Sequence, residues 1–173
     1  MTPVEQASVV RAALVVAVAA LLDAVLGPYL TFGYVSPGLT LIAIVFAASP
    51  LRDLQAVLLG FFGGVLFDAL GGDLFGVGAL GGLLAAALST RASAVRRKGG
   101  ERVLLAQVAG LAVAGYDLLG FGARWLSGLA TPQLGEYAVW GVLPDALINA
   151  LIAFLIGGWL LDLINVKPPQ TWE

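Results

Sequence analysis

Five aspartates interrupt apolar runs in this chain: Asp23, Asp68, Asp117, Asp145 and Asp162. They are the acid–base groups on offer, because the sequence has neither histidine nor cysteine. A Ser/His dyad is therefore excluded, as are disulfides, iron–sulfur centres and thiolate zinc sites. Two aspartates that share a proton can hydrolyse a peptide, but none of the five lies within a protease motif. A GxxxxGK[ST] phosphate loop and an HExxH zinc motif are both missing. The residues thus predict a protein that is not an enzyme and needs no cofactor. A carboxylate in an apolar run must then be neutral, be paired, or meet something polar.

The elements that position these acids follow from composition. Of 173 residues, 60% are hydrophobic and 12% charged, with a mean hydropathy of +0.95. Soluble domains carry about 25% charged residues, so this is a multi-pass membrane chain. A helix needs about 20 apolar residues to cross a hydrocarbon core of ~30 Å. Six helices are predicted, at 8–26, 33–49, 54–70, 74–89, 103–125 and 140–164, forming one integral-membrane domain over 1–173. Gly27-Pro28 is expected to end the first helix, and Pro50 to close the short second one. If Pro144 opens the last helix, Asp145 gains from the helix dipole in its first turn. If that helix starts at Tyr137, Pro144 kinks it; the first version is preferred. Glu5 ahead of the first apolar run speaks against a cleavable signal.

Orientation follows from the cations. Arg91, Arg96, Arg97, Lys98 and Arg102 lie between the fourth and fifth helices, Arg52 between the second and third, Arg11 near the N-terminus and Lys167 in the tail. With both termini cytoplasmic these all fall inside, and only Arg124 falls outside, as the positive-inside rule requires. Tyr29, Phe32, Tyr34, Trp125, Tyr137 and Trp140 then form an outer interfacial belt. Asp23, Asp68, Asp117 and Asp145 share the outer half, while Asp162 lies near the inner end. An ionised side chain at a helix centre costs ~3 kcal/mol on insertion scales, and less towards the interface. Asp117, seven residues before Arg124, is the most costly, and is expected to face the bundle and to be neutral or hydrogen-bonded. Asp68 is expected to bind the following "GGD" turn or a neighbouring helix end.

Gly60, Gly64 and Asp68 recur every four residues, and Gly78 and Gly82 repeat that spacing on the next helix, with Gly72 and Gly76 just ahead. Small residues at this spacing let helix backbones approach closely in lipid. The two open readings are packing of the third helix on the fourth, and contact with another protein's transmembrane helix.

The stretch "GFFGGVLFDALGGDLFGVGALGG" resembles the rod shape-determining protein MreD family, in which a G-x-x-x-G-x-x-x-D run precedes a small-residue segment. The match falls on Gly60, Gly64, Asp68 and Gly76. "SPGLTLIAIVFAA", opened by Pro37, and "LPDALINALIAFLIGG", with Asn149, are similar as well. The resemblance implies an all-α six-helix bundle like the S-components of energy-coupling-factor vitamin transporters. It implies a non-enzymatic scaffold of the cell-elongation (Rod) complex in the bacterial cytoplasmic membrane. The implied partner is a bitopic MreC-like protein, and through it the MreB filament, RodA and a class B penicillin-binding protein. Membrane lipid is the remaining partner, and nucleic acid is not expected. Gly60, Gly64, Asp68, Gly76, Gly78, Gly82, Asp117 and Asn149 are the candidate partner or helix-packing residues. The alternative is a small-molecule-binding S-component of a vitamin-type transporter, which the outer-half acids suit.

Reporter fusions at Met1, within the Arg91–Arg102 loop and at Glu173 are expected to read cytoplasmic, and one at Thr131 external. An external signal from the basic loop would overturn the six-helix topology.

Overall fold

A computed structural model describes residues 3–71, 74–94 and 100–164. Gly72, Asp73 of "GGD", Arg96, Arg97, Lys98 and Lys167 lie outside the described residues. The described residues form six helices: α1 Pro3–Leu30, α2 Leu39–Ala48, α3 Asp53–Gly71, α4 Val77–Ala94, α5 Glu101–Leu126 and α6 Leu134–Ile164. All but α2 are long and apolar enough to cross a membrane, and the chain is a multi-pass membrane protein.

α2 differs most from the expected 33–49 span. It has ten residues, about 15 Å at 1.5 Å per residue, roughly half the hydrocarbon thickness. Every residue from Thr40 to Ala48 is buried, and α2 touches each of the other helices. It is the core of the bundle, and Phe46, Ile42 and Ile44 are fully enclosed. The uniformly apolar "LTLIAIVFAA" suits a helix surrounded by protein on all sides. The chain ahead of it is unwound, with a tight turn closed by the Phe32–Val35 bridge.

Two prolines also sit differently from expectation. α1 continues through Gly27-Pro28 to Leu30. Proline near a helix end removes a single hydrogen bond, and the Thr31 hydroxyl donates to the Gly27 carbonyl at 2.8 Å. In α6 the helix starts at Leu134, not at Pro144, and residues Ala138–Val142 form a π turn. The Leu143 N–H reaches back to the Ala138 carbonyl, widening the helix just where Pro144 offers no donor. Asp145 is thus inside a helix and gains nothing from a helix N-terminus.

The four-residue glycine stripe packs α3 against α4. A Cβ on Gly60 would strike the Gly82 carbonyl and Ala86, and one on Gly64 would strike the Gly78 carbonyl. Gly78 and Gly82 meet Gly64 and Gly60 in return. The two backbones touch with nothing between them, the contact that small residues permit in lipid. Gly157 does similar service for α2, since a side chain there would run into the Phe46 ring.

Gly64→Leu is expected to force α3 and α4 apart, costing roughly 1–3 kcal/mol or more as an overpacked site. Thermal unfolding of the detergent-solubilised protein checks this; an unchanged midpoint would refute the close contact.

Candidate functional site: side chains that cap backbone inside the bilayer

Helix N-termini leave N–H groups without intrahelical partners. In hydrocarbon no water is available to satisfy them, so irregular backbone survives only where protein supplies the acceptors. Two such N-termini lie within this bundle, and aspartates close both.

The first is at α2. Asp23, buried on α1, accepts the Leu39 N–H through Oδ1 at 3.0 Å and the Thr40 N–H through Oδ2 at 2.6 Å, and Oδ2 also accepts the Thr40 hydroxyl. From the opposite side, α6 contributes Asp145 and Asn149, both buried. Asp145 Oδ1 accepts the Ser36 N–H at 2.9 Å, and Asn149 Oδ1 accepts the Gly38 N–H at 2.7 Å. Pro37 has no N–H to satisfy. Every N–H from Ser36 to Thr40 therefore meets a side-chain acceptor. Asn149 does more: its amide nitrogen donates to the Ser36 carbonyl at 2.9 Å and to Asp145. By reading the N–H of one residue and the C=O two before it, the amide acts as a peptide group of a neighbouring strand would. At the other end of α2, the Ser89 hydroxyl donates to the Val45 carbonyl at 2.6 Å.

The second is at α4, closed by Asp68 from the end of α3. Its Oδ1 accepts the Gly78 N–H at 2.7 Å, and its Oδ2 accepts those of Gly76 and Ala79 at 2.8 and 3.1 Å. Gly76 turns the chain into α4 with φ +102, a conformation that side chains disfavour. Its part is in the turn, whereas Gly60, Gly64, Gly78 and Gly82 serve the close approach.

Asp117 stands apart. It is half-buried on α5, within hydrogen-bonding reach of Asp145, and its Oδ2 is buried with no hydrogen-bond partner. Asp162 is exposed on α6. Among the described residues no three acidic side chains converge to hold a metal.

These groups border two recesses. One, about 340 Å³, is lined by Asp23, Thr31, Ser36, Phe67, Asp68 and Tyr116. The other, about 270 Å³, is lined by Tyr34, Tyr116, Asp117, Phe121, Arg124 and Tyr137. Ser36 and Tyr116 border both. Tyr137 ties the rim together, edge-on to Tyr34 at 5.6 Å and stacked on Phe121 at 5.4 Å.

The structure therefore gathers Asn149 and Asp117 around Asp145, and places Asp68 with Gly64, Gly76 and Gly78. Asp23 and Asp145 belong with them as capping groups, although the candidate residues chosen from sequence omit both. The available signal was the Ser36-Pro37-Gly38 opening of an apolar run too short to span.

Because both Asp68 oxygens accept N–H groups, Asp68→Asn keeps part of the cap and Asp68→Leu none. Orphaning a buried donor costs ~1–3 kcal/mol, so the expected order of thermal stability is wild type, then Asn, then Leu. Equal loss in both variants would show that the carboxylate's charge, not its acceptor capacity, is what α4 requires.

Comparison with curated proteins and with solved structures finds no match. A family model described as rod shape-determining protein MreD matches residues 6–167, nearly the whole chain. The chain belongs to the MreD family of membrane proteins that determine rod shape.

Proposed function

We propose that this chain is a non-enzymatic scaffold of the bacterial cell-elongation complex. It lies in the cytoplasmic membrane as one domain with both termini inside. It binds a bitopic MreC-like protein, and through that partner helps to organise the MreB filament and the peptidoglycan synthase formed by RodA and a class B penicillin-binding protein. The family match over residues 6–167 carries this reading. The arrangement of polar groups supports it: Asp23, Asp68, Asp145 and Asn149 are occupied with the protein's own backbone. The glycine stripe is likewise occupied between α3 and α4. A transmembrane partner is left the apolar outer surface, including the recess between α1 and α6 lined by Leu14, Val18, Leu22, Ile156, Trp159 and Leu163.

The two recesses favour one second reading, a small-molecule-binding bundle like the S-components of vitamin transporters. Their volumes would admit a small ligand. The scaffold reading is preferred because Asp23 and Asp68, the acids that line the larger recess, already serve as caps.

The test is complementation. In a rod-shaped bacterium depleted of its own MreD, expression of this chain is expected to restore rods, and affinity purification to recover the MreC-like protein with it. Round cells despite normal membrane insertion, with no MreC-like protein recovered, would sink the scaffold reading. Saturable uptake of a vitamin would support the second.

A further inference from the structure

Arg102 is a cation held on the lipid-facing surface by something other than an acid. It is the second residue of α5, and it is exposed. Its Nε donates to the Phe154 carbonyl and its Nη2 to the Leu155 carbonyl at 2.9 Å, both on α6. The guanidinium carbon lies 4.6 Å from the centre of the Phe154 ring. Gly158 lies directly beneath it: a Cβ there would be 3.6 Å from Nη1, in ordinary van der Waals contact. The group is fixed on three sides, and among the described residues no carboxylate pairs with it.

Geometry decides what remains. A guanidinium carries five N–H donors in one plane. The edge formed by Nε and Nη2 is occupied by the two carbonyls, and among the described residues the Nη1–Nη2 edge has no protein partner. Two parallel N–H groups on a rigid fork match the oxygens of a phosphate. The surroundings are apolar: Val103, Leu151, Leu155 and Trp159 are all at least half exposed. N–H donors left unmet in such a setting are costly. Depth is right for a headgroup, because Gly158 lies six residues before Ile164, the last residue of α6, or about 9 Å at 1.5 Å per residue. A side chain of this length reaches the interface from there.

We infer that Arg102, seated over Gly158 between α5 and α6, binds the phosphate of an anionic membrane phospholipid. The bound lipid would complete the fork, and its acyl chains would lie along the exposed apolar side chains of both helices. This site is on a different face from the two recesses and does not depend on the scaffold reading.

Phosphatidylglycerol titrated into the detergent-solubilised full chain, with bound lipid counted by native mass spectrometry, tests the site. The wild type is expected to take up one lipid on the order of tenfold more tightly than Arg102→Gln, as loss of a charge-assisted pair implies. Arg102→Lys, which keeps the charge but not the fork, should also bind more weakly. Size-exclusion profiles matching the wild type would show that both variants are folded. Equal affinity in wild type and both variants would overturn the site. So would phosphatidylcholine binding as tightly as phosphatidylglycerol, or displacement by excess inorganic phosphate.

Discussion

A peptide N–H outside a helix or sheet has no water to turn to within a bilayer, and this bundle is arranged around that constraint. The unwound chain before α2 and the start of α4 both present such groups. Both are met by carboxylates brought from other segments, not by the local Ser or Asp caps common in soluble helices. Asp23 and Asp145 hold the entry to α2 from opposite sides, with Asn149 between strand-like backbone and its own helix. Removing these side chains would leave a helix in the centre of the protein with the N–H groups at its start stripped of their acceptors.

The glycine stripe and Asp68 belong to a single device. Asp68 reaches the α4 amides only because α3 and α4 touch backbone to backbone at Gly64 and Gly78. A Cβ on Gly78 would strike Asp68 Oδ1 itself, so the small residue and the acid constrain each other. Lipid gives no hydrophobic drive for helices to associate, and the directed bonds of the cap add what the glycine contact alone lacks. The same logic places Gly157 under Phe46: α2 is admitted to the middle because its neighbours give up side chains there.

Much of this was legible in the sequence. Five of the helices could be read from apolar length alone, and the α3–α4 stripe from four-residue spacing. The apolar settings of Asp68 and Asp117 pointed to polar groups needing partners, whereas Asp23 was given none and Asp145 was assigned to a helix dipole. The identity of those partners was hidden, because Ser36 and Gly38 are joined to α6 across more than a hundred residues and no local pattern records such pairing. α2 was read as a span because its composition is that of one; only its ten-residue length told otherwise. Pro28 and Pro144 misled for a physical reason. Proline often marks a boundary, but here Pro28 falls in the last turn of α1 and a π turn accommodates Pro144 within α6. Arg102 was read as one of the loop cations, since nothing in its neighbours tells of carbonyls on α6.

The wide separation of Asn149 and Asp145 from the backbone they hold has a bearing on biosynthesis. Asp23 precedes Leu39 by 16 residues, so it is already in place when α2 emerges. Asp145 and Asn149 follow Ser36 and Gly38 by 109 and 111 residues. At ~5–20 residues per second, that interval is on the order of ten seconds. During it, α2 is too short to anchor itself and is capped on one side only. The nascent α1–α2 hairpin must wait at the translocon or membrane surface, half closed, until the final helix arrives to complete it.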